Sequence, residues 1–185
     1  GASVYLSPSR NPRRRTAYTW EMILINGGWV GINTLIPNKL VAQAAASQAL
    51  PMFEGVRAVE QEVRVGTRSR LDLKVQLPGG PMYVEVKNVT LVQDGLAKFP
   101  DAVTERGSRH FQELIRLQAQ GLAGAAVYVV QRQDARAFGP AREIDPHYAE
   151  LYSKAQASGL LMTALEARVW PQSICLTREL PLLLD

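Results

Sequence analysis

Ser69-Arg70-Leu71-Asp72-Leu73-Lys74, followed by Tyr83-Val84-Glu85-Val86-Lys87, is the stretch on which the reading of this chain turns. Both segments alternate apolar and polar residues, the period of a strand with one face in a core. Leu71, Leu73 and Val75 are expected on one side, and Val84 and Val86 likewise. Residues two apart on a strand share a face, so Glu85 and Lys87 project together, opposite the valines. A hairpin through Leu77-Pro78-Gly79-Gly80-Pro81 brings Asp72 beside them. Two carboxylates and a lysine on one sheet face form a candidate divalent-metal site. Asp72 and Glu85 would hold Mg²⁺ or Mn²⁺, whose bound water becomes a nucleophile, and Lys87 would orient that water or offset phosphate charge.

A Glu-X-Lys pair by itself more commonly describes a solvated strand face. Context separates the two readings. The Asp72 strand precedes the Glu85 strand through a turn, and a strong helix and a further apolar strand follow. That is the order, and Asp…Glu-X-Lys the signature, of the PD-(D/E)XK nuclease superfamily, with Asp72, Glu85 and Lys87 as catalytic residues.

The rest of the chain places these strands in an α/β domain. Val4 to Ser7, Tyr18 to Ile25 and Trp29 to Asn33 read as short strands, the last two joined by Asn26-Gly27-Gly28. Tyr18, Trp20 and Trp29 are either base-stacking platforms or core, and alternating aromatics are more commonly core. An alanine-rich helix is expected over Lys39 to Leu50, started by Pro37 or Asn38 and closed by Pro51, then a strand from Val56 to Val65 and a turn at Gly66-Thr67. The Glu85 strand spans Met82 to Leu91, with a loop from Gln93 to Ala102. The next helix is capped near Thr104, stops at Gly121 and carries the stripe Phe111, Leu114, Ile115 and Leu117. Ala125 to Gln131 is a buried strand beside the Glu85 strand. Asp145-Pro146 opens another helix, ended by Gly159, and two strands close the chain, Leu160 to Trp170 and Ile174 to Leu180.

Composition narrows the function classes. The 185 residues are 46% hydrophobic, enough for a real core, and no apolar run approaches membrane-spanning length. A single cysteine, Cys175, excludes an internal disulfide and fits a reducing cytoplasm; there is no Cys/His cluster of zinc spacing. The net charge is +4, and residues 1–20 hold Arg10, Arg13, Arg14 and Arg15 with no acidic residue. That cluster is either a contact for nucleic-acid backbone or a solvated loop.

Several longer runs carry a family likeness. Asp72 in Ser-Arg-Leu-Asp, Tyr83-Val84-Glu85-Val86-Lys87-Asn88-Val89-Thr90-Leu91 and Phe99-Pro100-Asp101-Ala102-Val103-Thr104-Glu105-Arg106-Gly107 resemble the sugar fermentation stimulation protein A family. Tyr18-Thr19-Trp20-Glu21, Val30-Gly31-Ile32-Asn33-Thr34 and Pro140-Ala141-Arg142-Glu143-Ile144-Asp145 extend the likeness over nearly the whole chain. The resemblance implies a bacterial DNA-binding protein linked to sugar-utilisation genes, with an OB-like N-terminal domain and a nuclease-like C-terminal domain. It also implies that the chain enters the OB-like barrel partway. Residues 1–35 are thus expected to be part of an OB-like β domain, and residues 36–185 a restriction-endonuclease-like (PD-(D/E)XK) α/β core.

Further site residues are candidates only. Members of this superfamily often draw another carboxylate from the first helix or strand; Glu54, Glu60 and Glu62 are the local choices, with Glu21 a weaker one. Arg13, Arg14, Arg15, Arg68, Arg70, Lys74 and Arg106 are candidate contacts to DNA or RNA backbone, or else surface charges. The amides of Thr104 to Gly107 could face a phosphate or merely cap a helix. His110 is read as an exposed helix histidine sharing a face with Arg106 and Glu113, with a role as proton carrier or phosphate ligand as the alternative. His147 is read as structural. Two function classes follow: a Mg²⁺- or Mn²⁺-dependent nuclease, or a non-catalytic DNA-binding regulator on the same scaffold. Retention of Asp72, Glu85 and Lys87 together favours at least metal binding, because an uncompensated carboxylate pair costs stability. The chain is expected to have no membrane partner, and a homodimer is compatible with it.

Overall fold

The computed structural model describes residues 1–9, 11–66 and 69–183. Its centre is a six-stranded mixed sheet. β4 (Ala58–Val65), β5 (Ser69–Leu77) and β6 (Gly80–Val89) form an antiparallel meander. β9 (Ala123–Val130) and β11 (Leu161–Trp170) extend β6 in parallel, and β12 (Ser173–Leu180) returns antiparallel at the far edge. The spatial order is β12-β11-β9-β6-β5-β4.

Helices cover both faces of this sheet. α1 (Ile36–Ala46) packs on one side, where Val41, Ala42 and Ala45 meet Leu73, Val75, Val84, Val86, Val127 and Phe53. α2 (Glu105–Ala119) and α3 (Pro146–Ala157) cover the other, where Phe111, Leu114, Tyr148 and Tyr152 meet Ala126, Tyr128 and Val130. Burial of each such large side chain contributes roughly 1.5–3 kcal/mol. With both faces covered, the central strands lose the polar alternation of a half-exposed sheet. β9 is buried from Gly124 to Val130, and in β6 even Glu85 and Lys87 are buried.

The helix boundaries follow local chemistry. Thr104 caps α2 by accepting from the Gly107 amide at 3.0 Å, and Asp145 caps α3 by accepting from the Tyr148 amide at 2.9 Å. α1 starts and ends earlier than the sequence suggests. It begins at Ile36, with Pro37 in its first turn, and ends at Ala46; Gln48 is left-handed (φ 56°), ahead of a 3-10 turn at Pro51–Phe53.

The Glu85 strand ends at Val89 rather than Leu91, and the segment expected as a loop over Gln93 to Ala102 takes in the end of one short strand and the whole of another. β7 (Leu91–Gln93) and β8 (Leu96–Phe99) pair across Asp94-Gly95, and β10 (Ala137–Pro140) joins β8 in parallel. Strands of three or four residues are too short for alternation to be visible; the Asp-Gly dipeptide was the only local sign.

The N-terminal sheet is β1 (Val4–Pro8), β2 (Tyr18–Ile25) and β3 (Gly28–Gly31), all antiparallel. In this three-stranded sheet Tyr18 and Trp20 are 57% and 47% exposed, while Trp29 is half-buried with its ring edge-on to Tyr5. The join to the main sheet is made by Gln131. Its carbonyl accepts from the Gly31 amide at 2.9 Å, and its side-chain amide donates to Asn33 O and Asn88 Oδ1. A Cβ at residue 31 would run into the end of the Gln131 side chain, so glycine here lets Gln131 lie against β3 in its observed position. Among the described residues no helix is long and apolar enough to cross a membrane.

Candidate active site

Asp72 lies where the sheet turns over. β4 and β5 pair on either side of it, Gln61 with Leu73 and Val63 with Leu71, and Glu62 opposite has a left-handed backbone (φ 56°). The pairing of β5 with β6 runs only from Leu77–Gly80 to Leu73–Val84. Leu71 therefore does not share a face with Leu73 and Val75 as alternation predicts. It packs with Val65 in the α2-side core, while Leu73 and Val75 pack on the α1 side. In the gap, the Asp72 carboxylate takes over the role of a strand acceptor. Oδ2 accepts from the Val86 amide at 2.8 Å, and Oδ1 accepts from the Asn38 side chain of α1 at 2.7 Å.

Glu85 and Lys87 follow on β6, on the α2 side as their phase predicts. The Lys87 ammonium donates to Glu85 Oε1 at 2.7 Å and sits 5.9 Å from the centre of the Phe99 ring. His110 contacts the same oxygen through Nδ1 in a short hydrogen bond. Glu85 Oε2 is buried and has no hydrogen-bond partner among the described residues. The floor beneath is aromatic: Phe99, Phe111, Tyr128 and Tyr148 pack ring to edge, and the two tyrosine hydroxyls bond each other at 2.8 Å. In the register of β6 with β9, Glu85 stands beside Ala126, whose small side chain leaves room for the carboxylate.

The two carboxylates respond oppositely to this setting. Burial pushes the Asp72 carboxyl up, the neighbouring Glu85 charge pushes it further, and the Val86 amide, Asn38 and Lys87 only partly oppose them; the result is about 6. Burial pushes Glu85 up as well, but Lys87 and the His110 hydrogen bond outweigh it and hold Glu85 below the ordinary carboxylate range. Glu85 is thus ionised at neutral pH and can only accept, so His110 Nδ1 carries the proton it shares.

His110 is the main correction to the sequence reading: it is 6% exposed, not a surface histidine. Residues 107, 110, 111, 114 and 117 form one helical stripe, and Arg106 lies off it, exposed. The first turn comes close to its surroundings because residue 107 is glycine; a Cβ there would meet the Thr104 side chain at 2.8 Å and Tyr148 at 3.3 Å. Phe111, Leu114 and Leu117 of this stripe were visible in the sequence; that Gly107 and His110 belong to it, and what faces them, was not. Asn38, the other group holding the site, left no sequence signal beyond its place in the first turn of a helix.

Among the described residues, no further carboxylate joins the pair. Glu60 is bound to Lys74 at 2.9 Å and Glu62 to Arg70 at 3.5 Å, both exposed, and Glu54 ends the 3-10 turn. Glu21 is held in the N-terminal sheet by the Ser7 hydroxyl at 2.5 Å and the Asn33 amide at 2.8 Å. Among the described residues, no group of three or more His, Cys, Asp or Glu is arranged to hold a metal ion. Arg13, Arg14 and Arg15 are exposed on the loop between β1 and β2, where Arg14 donates to the Thr19 hydroxyl. Arg106 is exposed on the first turn of α2, His147 is exposed on α3, and Arg68, with Arg10 and Thr67, lies outside the described residues.

Comparison with known proteins gives consistent matches. Residues 35–173 match the family described as Sugar fermentation stimulation protein RE domain, and residues 1–32 the SfsA N-terminal OB domain. The chain is 48% identical over 183 residues to the Sugar fermentation stimulation protein homolog of Geobacter sulfurreducens, covering 99% of this chain and 78% of the relative. It is 46% identical to the homolog of Geobacter metallireducens, covering 100% of this chain and 80% of that protein. Among solved structures it is similar to "The structure of Pyrococcus Furiosus SfsA in complex with Ca2+". That likeness has a TM-score of 0.92 at 29% identity and covers 100% of this chain and 79% of that one.

Proposed function

The chain belongs to the sugar fermentation stimulation protein family, and from that premise we propose that it binds nucleic acid and hydrolyses phosphodiester bonds at Asp72, Glu85 and Lys87 with Mg²⁺ or Mn²⁺. The observation that carries this reading is the buried, unpartnered Oε2 of Glu85 beside an Asp72 whose carboxyl is raised to about 6. Two carboxylates with spare lone pairs and incomplete charge compensation suit a hard, oxygen-seeking divalent cation. The Ca²⁺ complex of the Pyrococcus furiosus relative supports the same chemistry.

Asp72 and Glu85 would hold the cation. When bound, it would supply a water of lowered pKa and offset charge on a phosphoryl oxygen. Asn38 and the Val86 amide keep Asp72 in place, and Lys87 stabilises negative charge as it develops on the phosphate. The aromatic floor excludes water and strengthens each of these interactions. The exposed Arg13, Arg14, Arg15 and Arg106 supply contacts to nucleic-acid backbone, with Arg70 and Lys74 adding charge where they are not engaged by Glu62 and Glu60. The free, exposed Cys175 is compatible with a reducing cytoplasm.

The test is cleavage of plasmid, single-stranded DNA and RNA with Mg²⁺ or Mn²⁺ against EDTA. Wild type is expected to cut only with metal, Asp72→Asn and Glu85→Gln to lose activity by ~10²-fold or more, and Lys87→Ala to keep Mn²⁺ binding while the chemical step fails. Salt-dependent binding with no cleavage by either metal would assign the chain to the other class, a non-catalytic DNA-binding regulator.

A further inference from the structure

We propose that His110 is a positioning residue for Glu85, holding Oε1 so that Oε2 is the oxygen presented to a cation; this rests on the reading of the Asp72–Glu85 pair as a cation site. A glutamate carboxylate rotates easily about its last torsion, which is broad and roughly two-fold. Lys87 cannot stop that rotation alone, because its ammonium rides on a flexible stem and its three donors can follow either oxygen. His110 can. Its ring is rigid, itself buried, and carried on α2, whose Phe111, Leu114 and Leu117 are locked in the core.

The allocation of donors is uneven. Lys87 Nζ and His110 Nδ1 both converge on Oε1, and Oε2 receives neither. A buried histidine recruited only to satisfy a buried carboxylate would be expected to bond the oxygen that Lys87 leaves bare, since an unmatched buried acceptor is costly. Doubling on Oε1 instead keeps the lone pairs of Oε2 unspent. His110 is not itself placed as a ligand through Nδ1, because that nitrogen is engaged by Glu85.

Calorimetric titration of the full chain with MnCl₂ tests this without reference to turnover. Removing such an outer partner typically weakens metal binding ~10–100-fold, and His110→Ala should do so. His110→Asn places an amide N–H near the position of Nδ1 and should recover binding to within ~3-fold of wild type, whereas His110→Gln, whose donor lies one methylene further out, should remain ~10-fold weak. In a Glu85→Gln background, His110→Ala should add no further loss, because the group it positions is gone. Wild-type affinity in a folded His110→Ala protein overturns the proposal, as does equal affinity of His110→Asn and His110→Gln. The Asn–Gln comparison decides the matter if the alanine variant does not fold. A wild-type protein that binds no Mn²⁺ fails the cation reading itself; one that binds Mn²⁺ indifferently to residue 110 fails only the role of His110.

Discussion

Replacing Asp72 with asparagine should stabilise the protein, and increasingly so as pH rises. The native carboxyl sits at about 6 against 3.8 for the ordinary value, a difference of roughly two units. Each unit is worth about 1.4 kcal/mol between the two protonation states, which gives up to ~3 kcal/mol. The sign follows from the raised native value. The favourable contribution is complete below pH 3.8, where the group is protonated in both states, and is lost as pH climbs through about 6. At pH 8 the ionised carboxylate thus weighs against the native state. Asparagine cannot ionise, its carbonyl can still accept from the Val86 amide, and its NH₂ can face the Asn38 carbonyl after that side chain turns. The gain should grow from ~1.5 kcal/mol at pH 5 to ~3 kcal/mol at pH 8, with little gain below pH 4. Urea unfolding across that range, in EDTA, measures it. A variant that is destabilised equally at every pH would refute the reasoning, since it would mean that the hydrogen bonds of Asp72, not its charge, dominate.

Two further outcomes follow from other parts of the molecule. Replacing Arg13, Arg14 and Arg15 together with alanine should weaken binding similarly to unrelated DNA sequences and flatten the logarithmic salt slope by up to ~3, each arginine neutralising at most about one phosphate; unchanged affinity would leave the cluster a solvated loop. Gly31→Ala should destabilise the protein by ~1–3 kcal/mol by driving a methyl into the Gln131 side chain, read as a lower midpoint in thermal unfolding; a neutral result would mean that Gln131 swings aside without loss of its bonds to Asn33 and Asn88.

Local sequence determined more of the fold than of the site. Alternation around Leu73, Val75, Val84 and Val86, the caps at Thr104 and Asp145 and the apolar run of β9 are properties of short windows. Hence the order of strands and helices could be read from them, while the family likeness rests on longer runs such as Phe99 to Gly107. The phase of β6 also puts Glu85 and Lys87 on one face, since a two-residue period permits nothing else. The turnover at Asp72 could not be read this way: it arises from a lapse in pairing on both neighbouring strands, and pairing is a relation between segments. The short strands β7, β8 and β10 were missed because hydrogen bonding to one another, rather than internal pattern, makes them a sheet. His110 and Asn38 lie on helices on opposite faces of the sheet, and each reaches a carboxylate far from it in sequence. Periodicity says which way a helix residue points. Only the packing of α1 and α2 against the sheet decides that an amide and an imidazole meet Asp72 and Glu85, and that one carboxylate is held low while the other is driven up.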